Sequence, residues 1–460
     1  MFAKKLTIFT LLAFLLTGFG CGNDEEARAT EAIELTIWGV FDDEDNYDGV
    51  MDAYRVIHPN VSIEYRELRY DEYEEELVRA IAEGEGPDIF LVQNTWMERY
   101  QSLMLPLPET LTIGYQEVRG TVKKEVINTL RTETTLSQRA LKSDFVDVVA
   151  EDMVLSYQAN EDAAPEDVIY GLPPALDTLV LYWNKDLLNA AGIAEAPDTW
   201  TEFQESVVAL TKVDDDGNLV QSAVGMGTSE NVERSADVLA LLMMQNGTDM
   251  IIDGDVEFNE VPSSGAVKGT LPGLDAVRFY TDFANPTKEV YTWNADQTSS
   301  FDAFANGTSA MFFGYAYHLP LIRTSAPKLN LGISPMPQID GGRQVNFANY
   351  WAMVVSKDSE DYNWAWDFIQ FATADEEQNA TYLAEANKPP ALRALIATQV
   401  EDEDLYAFAS EVLTAKSWYH GEDIATAEDA LMELIDTILS GSLEATDAID
   451  LAAKKVEQTL

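Results

Sequence analysis

Cysteine and histidine are scarce in this 460-residue sequence. The single cysteine is Cys21, so the chain cannot form an intrachain disulfide and its folded part depends on its apolar core. The three histidines, His58, His318 and His420, are too few and too scattered to predict a metal centre or a catalytic triad. HExxH, P-loop and G-x-S-x-G motifs are absent as well. These absences predict no cofactor and no bound metal, and none of the motifs searched for predicts an enzyme.

Basic residues are few beside the acidic ones. Lys and Arg number 29 and Asp and Glu number 80, which gives a net charge of −51. So acidic a surface repels phosphate backbones, and we expect no nucleic-acid partner. The charge is dispersed and 46% of the residues are hydrophobic, which excludes a disordered chain. Adaptation to high salt, where ions screen the self-repulsion, is one explanation of the acidity.

Long apolar runs are confined to the N-terminus. Lys4 and Lys5 precede "LTIFTLLAFLLTGFG", an uncharged run of 15 residues. A basic start followed by an apolar stretch too short to span a bilayer is typical of a secretion signal. No later stretch approaches 18 uncharged apolar residues, so we expect no second membrane segment.

Cys21 follows this run in a pattern that resembles the lipobox of bacterial lipoproteins. The departure is Gly18, where a lipobox usually has Leu or a similar residue. We expect residues 1–21 to be a lipoprotein signal peptide ending at a lipidated Cys21, and residues 22–32 to be a flexible tether. The alternative is an ordinary signal peptide with an incidental cysteine.

The rest of the chain alternates between strand and helix patterns. "IELTIWGVFDD" predicts a strand, and Val50, Met51, Tyr54 and Ile57 then follow helical spacing. The same order is repeated up to a buried strand at 89–92. Such alternation is typical of an α/β layer with a mainly parallel sheet. Between about 109 and 169 the pattern becomes helical and acidic, with "TVKKEVINTLRTETTL" and "DFVDVVAEDMV" as predicted elements.

Motifs that carry catalytic or metal chemistry are weak. "GMGTSE" lacks the third glycine of a dinucleotide-binding fingerprint, and "VDDDGNLV" has its glycine at the wrong position for a calcium loop. Among 80 carboxylates some pair will lie close together by chance, so their number does not support a glycosidase.

Aromatic residues gather at the predicted strand ends. They are Trp38, Trp96, Tyr315, Tyr317, Tyr350 and Trp351. In open α/β sheets, ligands bind beyond the carboxyl ends of the strands. Flat aromatic faces beside a few hydrogen-bonding groups suit a neutral, hydroxyl-rich ring such as a sugar.

From residue 33 onward the chain resembles the extracellular solute-binding proteins of ABC importers, in the group that includes maltose-binding protein and many sugar-binding lipoproteins. The resemblance rests on the order and spacing of several segments, namely "LTIWG", "HPNVSIEY", "GPDIFLVQNTW", "YGLPPALDTLVLYWNKDLLNAAGI", "APDTWTEF", "FANGTSAMFFG", "LGISPMP" and "WAMVVSK".

The resemblance implies the two-lobed periplasmic-binding-protein fold. Each lobe would be a mainly parallel sheet flanked by helices, with hinge strands between the lobes and the solute in the cleft. Residues 33–178 plus 315–346 would form the first lobe, and residues 179–314 plus 347–460 the second. "YGLPPALDTLVLYWN" would then be a crossover strand between them.

The same resemblance implies the binding residues. Asp177 would lie beside the hinge and accept sugar hydroxyls, although a role in capping a turn or pairing with an arginine is the alternative. The remaining candidates are Trp38, Gly39, Asn94 and Trp96 on the first-lobe wall, Tyr315 on a later crossover, Tyr350 and Trp351 on the second-lobe side, and Arg393 in "KPPALRAL".

These features lead to one functional hypothesis with two alternatives. The chain is expected to be an exported, lipid-anchored monomer that captures a sugar or oligosaccharide and delivers it to ABC permease subunits. A secreted carbohydrate-active hydrolase is one alternative. A sensory or adhesion module built on the same fold is the other.

Overall fold

A computed structural model of the chain describes residues 30–119, 125–160, 162–262 and 270–460. The predicted signal peptide, Cys21 and residues 22–29 of the predicted tether lie outside the described residues. Within those ranges, none of the helices combines the length and the apolar composition that a membrane span requires.

The described chain alternates between strands and helices. The strands are β1 (Ile33–Gly39), β2 (Val61–Glu67), β3 (Ile89–Gln93), β4 (Met104–Leu105), β5 (Thr110–Arg119), β6 (Glu125–Thr134), β7 (Val154–Tyr157), β8 (Glu166–Ile169), β9 (Asp177–Thr178), β10 (Val180–Asn184), β11 (Lys212–Val213), β12 (Leu219–Val224), β13 (Ile251–Ile252), β14 (Asp255–Val256), β15 (Ser309–Gly314), β16 (Leu331–Ser334), β17 (Asn346–Asn349), β18 (Trp351–Ser356) and β19 (Ala415–Lys416). The helices are α1 (Asp45–Ile57), α2 (Tyr70–Glu83), α3 (Met97–Tyr100), α4 (Gln138–Asp144), α5 (Asp147–Met153), α6 (Lys185–Ala190), α7 (Trp200–Leu210), α8 (Ser235–Gln245), α9 (Pro272–Asp282), α10 (Ser300–Ala305), α11 (His318–Ser325), α12 (Tyr362–Thr373), α13 (Glu376–Ala386), α14 (Arg393–Gln399), α15 (Tyr406–Glu411), α16 (Ile424–Ser440) and α17 (Ala445–Glu457).

The first lobe is built on a five-stranded sheet in the order β2-β1-β3-β18-β4. β1 runs parallel to β2 and β3, whereas β18 is antiparallel to β3. The sequence of β3, "IFLV", is buried throughout, as expected for a strand covered on both faces. The apolar faces of α1, α2, α12 and α13 join the same hydrophobic core.

The second lobe has a five-stranded sheet in the order β11-β12-β15-β10-β16. β12 is parallel to β15, while β10 is antiparallel to both β15 and β16. α7, α8, α9, α16 and α17 pack their apolar residues into a second core. The two separate cores show why the molecule divides into lobes.

Three segments of the described chain cross between the lobes. The first passes from Leu172, which bridges to Met353 in the first lobe, through β9 into β10 of the second sheet. The second passes from β17, which pairs with β9, directly into β18 of the first sheet. The third segment passes from Ala415, which packs in the first core, to Trp418, which packs in the second. β9, β17 and β19 therefore form a small three-stranded hinge sheet.

The structure differs from the predicted lobe boundaries after residue 314. Residues 315–346 were expected in the first lobe, but β16 pairs with β10 of the second sheet, and Met336 and Val345 join the second core. Residues 347–460 were expected in the second lobe, yet β18, α12 and α13 belong to the first. The later crossovers lie near 346–351 and 415–418, because that is where chain pairing and core packing change lobe.

Candidate functional site

The turn after β1 presents an aromatic ring to the space between the lobes. Phe41 has a left-handed backbone with a φ of 66°, which is unfavourable for a bulky residue, and its side chain is 52% exposed. The next residue holds this turn in place. The buried Asp42 carboxylate accepts hydrogen bonds from Tyr47 Oη at 3.3 Å and Tyr382 Oη at 2.8 Å, and it pairs with Lys388 Nζ. Strained backbone maintained by surrounding bonds is a common feature of binding sites.

Five first-lobe rings meet at this edge of the sheet. Trp351 lies at their centre, with ring centroids 5.2 Å from Trp96, 5.9 Å from Tyr73, 6.0 Å from Phe41 and 6.3 Å from Tyr70. We call these five residues the first-lobe aromatic cluster. They converge because β1, β2 and β3 end at the edge of the sheet where antiparallel β18 begins.

A second-lobe ring faces the cluster from the other side. Tyr317, 38% exposed and just before α11, stacks on Phe41 with centroids 6.1 Å apart and planes 14° apart. Tyr317 also stacks on Tyr315, at 6.0 Å. Phe41 and Tyr70 in turn stack at 5.4 Å, so a row of rings runs from one lobe to the other.

A charged group lies behind the second-lobe rings. Tyr315 Oη donates to Asp237 at 2.6 Å, and Asp237 receives two bonds from the Arg234 guanidinium, at 2.7 and 2.9 Å. Arg234 also pairs with Glu428 at 2.7 Å. Burial acts to lower the pKa of Arg234, but the carboxylates of Asp237 and Glu428 outweigh it and hold that pKa well above its usual range. The guanidinium is therefore already neutralised by two carboxylates.

Asp177 lies on the hinge, half-buried, beside the turn that carries Tyr317. Its Oδ2 accepts a hydrogen bond from the Ala316 N–H at 2.8 Å, and its Oδ1 accepts one from the Thr178 N–H at 2.8 Å. Burial raises the pKa of Asp177 to about 7, while these backbone donors oppose the rise. Asp177 therefore lies on the first crossover, at the hinge. Its carboxylate also accepts a backbone hydrogen bond from the turn that carries Tyr317, as the turn-capping alternative expected.

The predicted candidates fall into distinct groups. Trp96 and Trp351 lie within the first-lobe aromatic cluster, and Tyr315 contacts it through Tyr317. Trp38 is only 8% exposed and lies beneath the Arg66 guanidinium, 4.4 Å from its ring centroid.

Gly39 occupies a tight packing position. A Cβ at this residue would lie 2.2 Å from Tyr65 Oη, so the close approach of the neighbouring ring requires glycine. Its contribution in the described structure is therefore packing at the end of β1.

Four of the candidates lie elsewhere than expected. Tyr315 is fully buried at the end of β15 inside the second lobe, so it is not on a crossover. Tyr350 and Trp351 belong to the first-lobe side, because Trp351 begins β18 of the first sheet. Arg393 donates to the Phe145 carbonyl at 2.7 Å and pairs with Asp147 at 2.6 Å, so its head group fastens α14 to α5.

Asn94 and Tyr350 share a buried polar partner. Asn94 Nδ2 donates to Asp152 at 3.2 Å and Tyr350 Oη donates to the same carboxylate at 2.7 Å. Both side chains are buried, and they shortly precede Trp96 and Trp351 in the chain.

Sequence reasoning missed Phe41 and Tyr70 and did not carry Tyr317 into the candidate set. The available signal was position, since Phe41 follows the Gly39 turn and Tyr70 opens the helix after β2. A left-handed φ at Phe41 could not be read from the sequence, because it depends on the distant partners of Asp42.

Other regions in the described part of the chain give weaker evidence of a binding site. No group of three or more His, Cys, Asp or Glu residues there could hold a metal ion. A cavity of about 890 Å³ lies beside edge strand β16, but its charged lining residues Arg323 and Lys185 pair with Asp404 and Glu403. None of the predicted site residues lines that cavity.

Comparison with known proteins identifies the family to which the chain is similar and the solved structures that share its fold. Residues 42–379 match the family model described as bacterial extracellular solute-binding protein. The galactooligosaccharide-binding protein of Bacillus subtilis (strain 168) is 21% identical to this chain, over 98% of this chain and 96% of its own. Two solved structures share the fold over 93% of this chain. They are the cyclic alpha-maltosyl-1,6-maltose binding protein from Arthrobacter globiformis, with a TM-score of 0.70, 15% identity and 98% of that chain covered, and the maltose-binding periplasmic protein MalE from Listeria monocytogenes in complex with maltose, with a TM-score of 0.67, 18% identity and 97% covered.

These similarities confirm two predictions. The solved structures confirm the two-lobed α/β fold. The family consists of binding proteins, which confirms the prediction of a binding protein rather than an enzyme. Because the match covers well over half of the sequence, this chain belongs to the bacterial extracellular solute-binding proteins.

Proposed function

We propose that this protein captures a neutral sugar or oligosaccharide between its two lobes. The observation that carries the proposal is the row of rings at the lobe boundary, where Phe41 of the first lobe faces Tyr317 of the second at 6.1 Å. The two rings stack directly on each other in this arrangement, and a pyranose whose CH faces pack on both planes would have to separate them. A solute that contacts both planes would favour one arrangement of the lobes by its differential affinity.

The charges around the rings favour an uncharged solute over an anionic one. Arg234, a cation next to this row, already pairs with Asp237 and Glu428, and Lys388 pairs with Asp42 beside Phe41. The net charge of −51 would also repel an anionic solute during approach. Carboxylates such as Asp177 and Glu428 can instead accept sugar hydroxyls at their remaining lone pairs.

The names of the relatives support the same class of solute. They describe proteins that bind galactooligosaccharide, cyclic alpha-maltosyl-1,6-maltose and maltose. We infer from these names a carbohydrate for this chain, delivered to the permease of an ABC importer.

The anchor and the assembly state belong to the same proposal. Cys21 would carry the lipid after signal cleavage, and the monomeric receptor would remain at the outer face of the membrane. Metabolic labelling with a palmitate analogue tests the anchor, because Cys21→Ser should abolish labelling of this protein. Equal labelling of the variant and the unmodified chain would contradict lipidation at Cys21.

A thermal-shift screen tests the choice of solute. Maltose, a galactooligosaccharide mixture and cyclic alpha-maltosyl-1,6-maltose are compared with glucose 6-phosphate as an anionic control. A ligand that binds only the folded state raises the melting temperature, by an amount that corresponds to about 2.7 kcal/mol at 100 times its Kd. A shift with a neutral sugar supports the proposal, and a shift with the phosphate alone contradicts it.

A further inference from the structure

The carboxylate of Asp152 joins parts of the hinge that are far apart in the sequence. Asp152 lies in α5 of the first lobe and has no exposed surface. Its Oδ2 accepts from Asn94 Nδ2 at 3.2 Å and from Tyr350 Oη at 2.7 Å, and its Oδ1 lies 2.9 Å from His420 Nε2. Tyr350 lies on the second crossover and His420 follows the third, so one buried group contacts both.

This carboxylate also holds the backbone that precedes Trp351. The Asn94 N–H donates to the Tyr350 carbonyl at 3.0 Å, while the side chains of both residues bond to Asp152. Trp351 is the next residue and the centre of the first-lobe aromatic cluster. A change at Asp152 therefore acts on the position of the Trp351 ring through one peptide unit.

Among the hydrogen-bond partners of Asp152 in the described ranges, His420 is the group that can carry a positive charge. The other two, Asn94 and Tyr350, are neutral. Removing the counter-charge from a buried carboxylate is strongly unfavourable. The His420 side chain is 37% exposed, so its proton can exchange with solvent while Asp152 stays buried.

The surroundings of His420 favour its charged form. Burial acts to lower its pKa, but Asp152 and then the nearby Glu98 and Glu151 raise it above the usual value. Glu151 is itself paired with Lys416, at 2.7 Å. A histidine whose pKa is raised in the folded protein stabilises it below pH 6.5, and that stabilisation is lost as pH rises through the raised value.

We propose that Asp152 is a positioning residue for Trp351, and that protonation of His420 keeps it in place, so that solute binding weakens as His420 loses its proton. The effect on solute affinity rests on the function proposed above. The positioning of Trp351 by Asp152 and His420 does not.

Fluorine NMR tests the positioning without any solute. The full chain is labelled with 5-fluorotryptophan, and Trp351→Phe identifies the Trp351 resonance among the nine tryptophans. His420 is followed in the same pH series by its imidazole resonances. We expect the Trp351 resonance to shift with the midpoint of His420, and we expect His420→Gln to abolish that shift. Different midpoints in the unmodified chain, or an unchanged shift in His420→Gln, would overturn the proposal.

Two variants separate His420 from other titrating groups. His58→Gln is the matched control, because His58 lies in the first lobe and burial lowers its pKa. Asp177→Asn is needed because burial raises the pKa of Asp177, on the same hinge, to about 7. The Trp351 shift should persist in both variants, and its loss in Asp177→Asn alone would assign the effect to Asp177 and overturn the proposal.

Calorimetry with maltose then tests the coupling to binding. We expect the affinity of the unmodified chain to fall by about fivefold from pH 6 to pH 9, a typical coupling between two sites, and that of His420→Gln to change less. Equal pH dependence in both would contradict the coupling. If maltose and the other sugars bind at neither pH, the proposed function fails while the fluorine result still decides the positioning of Trp351.

Discussion

Phe41 combines backbone strain with an exposed ring, and the two properties can be separated by mutation. Both Phe41→Ala and Phe41→Gly remove the ring, but only glycine adopts a φ of 66° without strain. We expect Phe41→Gly to be more stable than Phe41→Ala by about 1 kcal/mol in urea unfolding. Both variants should lose affinity for the solute equally. Equal stability of the two would show that the turn stores no strain.

Trp351 and Trp96 are expected to contribute directly to binding. Trp351→Ala and Trp96→Ala should each weaken solute binding by at least about 1 kcal/mol, because each removes a ring of the first-lobe aromatic cluster. Calorimetry measures the affinity and circular dichroism checks that the variants fold. Tyr406→Ala is the control, since Tyr406 is 49% exposed beside the separate β16 cavity. An unchanged affinity in both tryptophan variants would remove the cluster from the binding site.

For individual residues, the sequence predicted which side chains gather near the site better than it predicted what each of them contacts. Aromatic residues at strand ends predicted Trp96 and Trp351, because strand ends at one edge of a sheet must converge. Asn94 and Tyr350 were also named, but their buried partner Asp152 was not. That contact joins residues 58 and 198 positions apart, which no local pattern specifies.

Among the elements, the turn between β15 and α11 determines where Tyr317 points. The buried His318 Nδ1 accepts a hydrogen bond from the Tyr315 N–H at 3.0 Å, so this imidazole is neutral in the folded protein. Burial lowers its pKa to about 3. A histidine with a depressed pKa contributes stability above pH 6.5 that is lost as pH falls.

We expect His318→Asn to remove part of the acid sensitivity of folding. Asparagine retains an acceptor for the Tyr315 N–H but does not titrate. Between pH 7 and pH 5 the unmodified chain should lose about 2 kcal/mol more of its free energy of unfolding than the variant does. Urea unfolding at the two pH values measures this difference. The same loss in both proteins would contradict a buried neutral His318.

Helix faces were predicted better than irregular elements. Val50, Met51 and Tyr54 are buried on α1 as their spacing indicated, although Ile57 at its end is 45% exposed. "TVKKEVINTLRTETTL" was expected to be a helix, but its second part is strand β6, paired with β5. Val126, Ile127 and several threonines there favour a strand, and pairing with β5 satisfies the backbone.

For the molecule as a whole, the first crossover was recognised. A boundary was also placed at 346/347, where the second crossover lies, but with the lobes on its two sides exchanged, and the crossover near 417 was not predicted. "YGLPPALDTLVLYWN" reads as an extended segment and does pass from one sheet to the other. The crossovers near 350 and 417 depend on pairing among β9, β17 and β19, which are between two and four residues long and distant in sequence. Such short pairings leave too little periodicity to detect, so the lobe assignment after residue 314 could not be obtained from the sequence.

The central claim is that a sugar held between the rings of both lobes changes the arrangement of those lobes. The single native cysteine makes a spin-label measurement simple, because Cys21→Ser leaves none to react. Labels at Val78→Cys in α2 and Val208→Cys in α7, positions that are 41% and 51% exposed, report the distance between the lobes. We expect the distance distribution from electron–electron double resonance to shift and narrow with saturating sugar, and the shift at a sugar concentration near the Kd of the unmodified chain to be smaller in Trp351→Ala. A sugar that binds by calorimetry yet leaves the distribution unchanged would contradict the account.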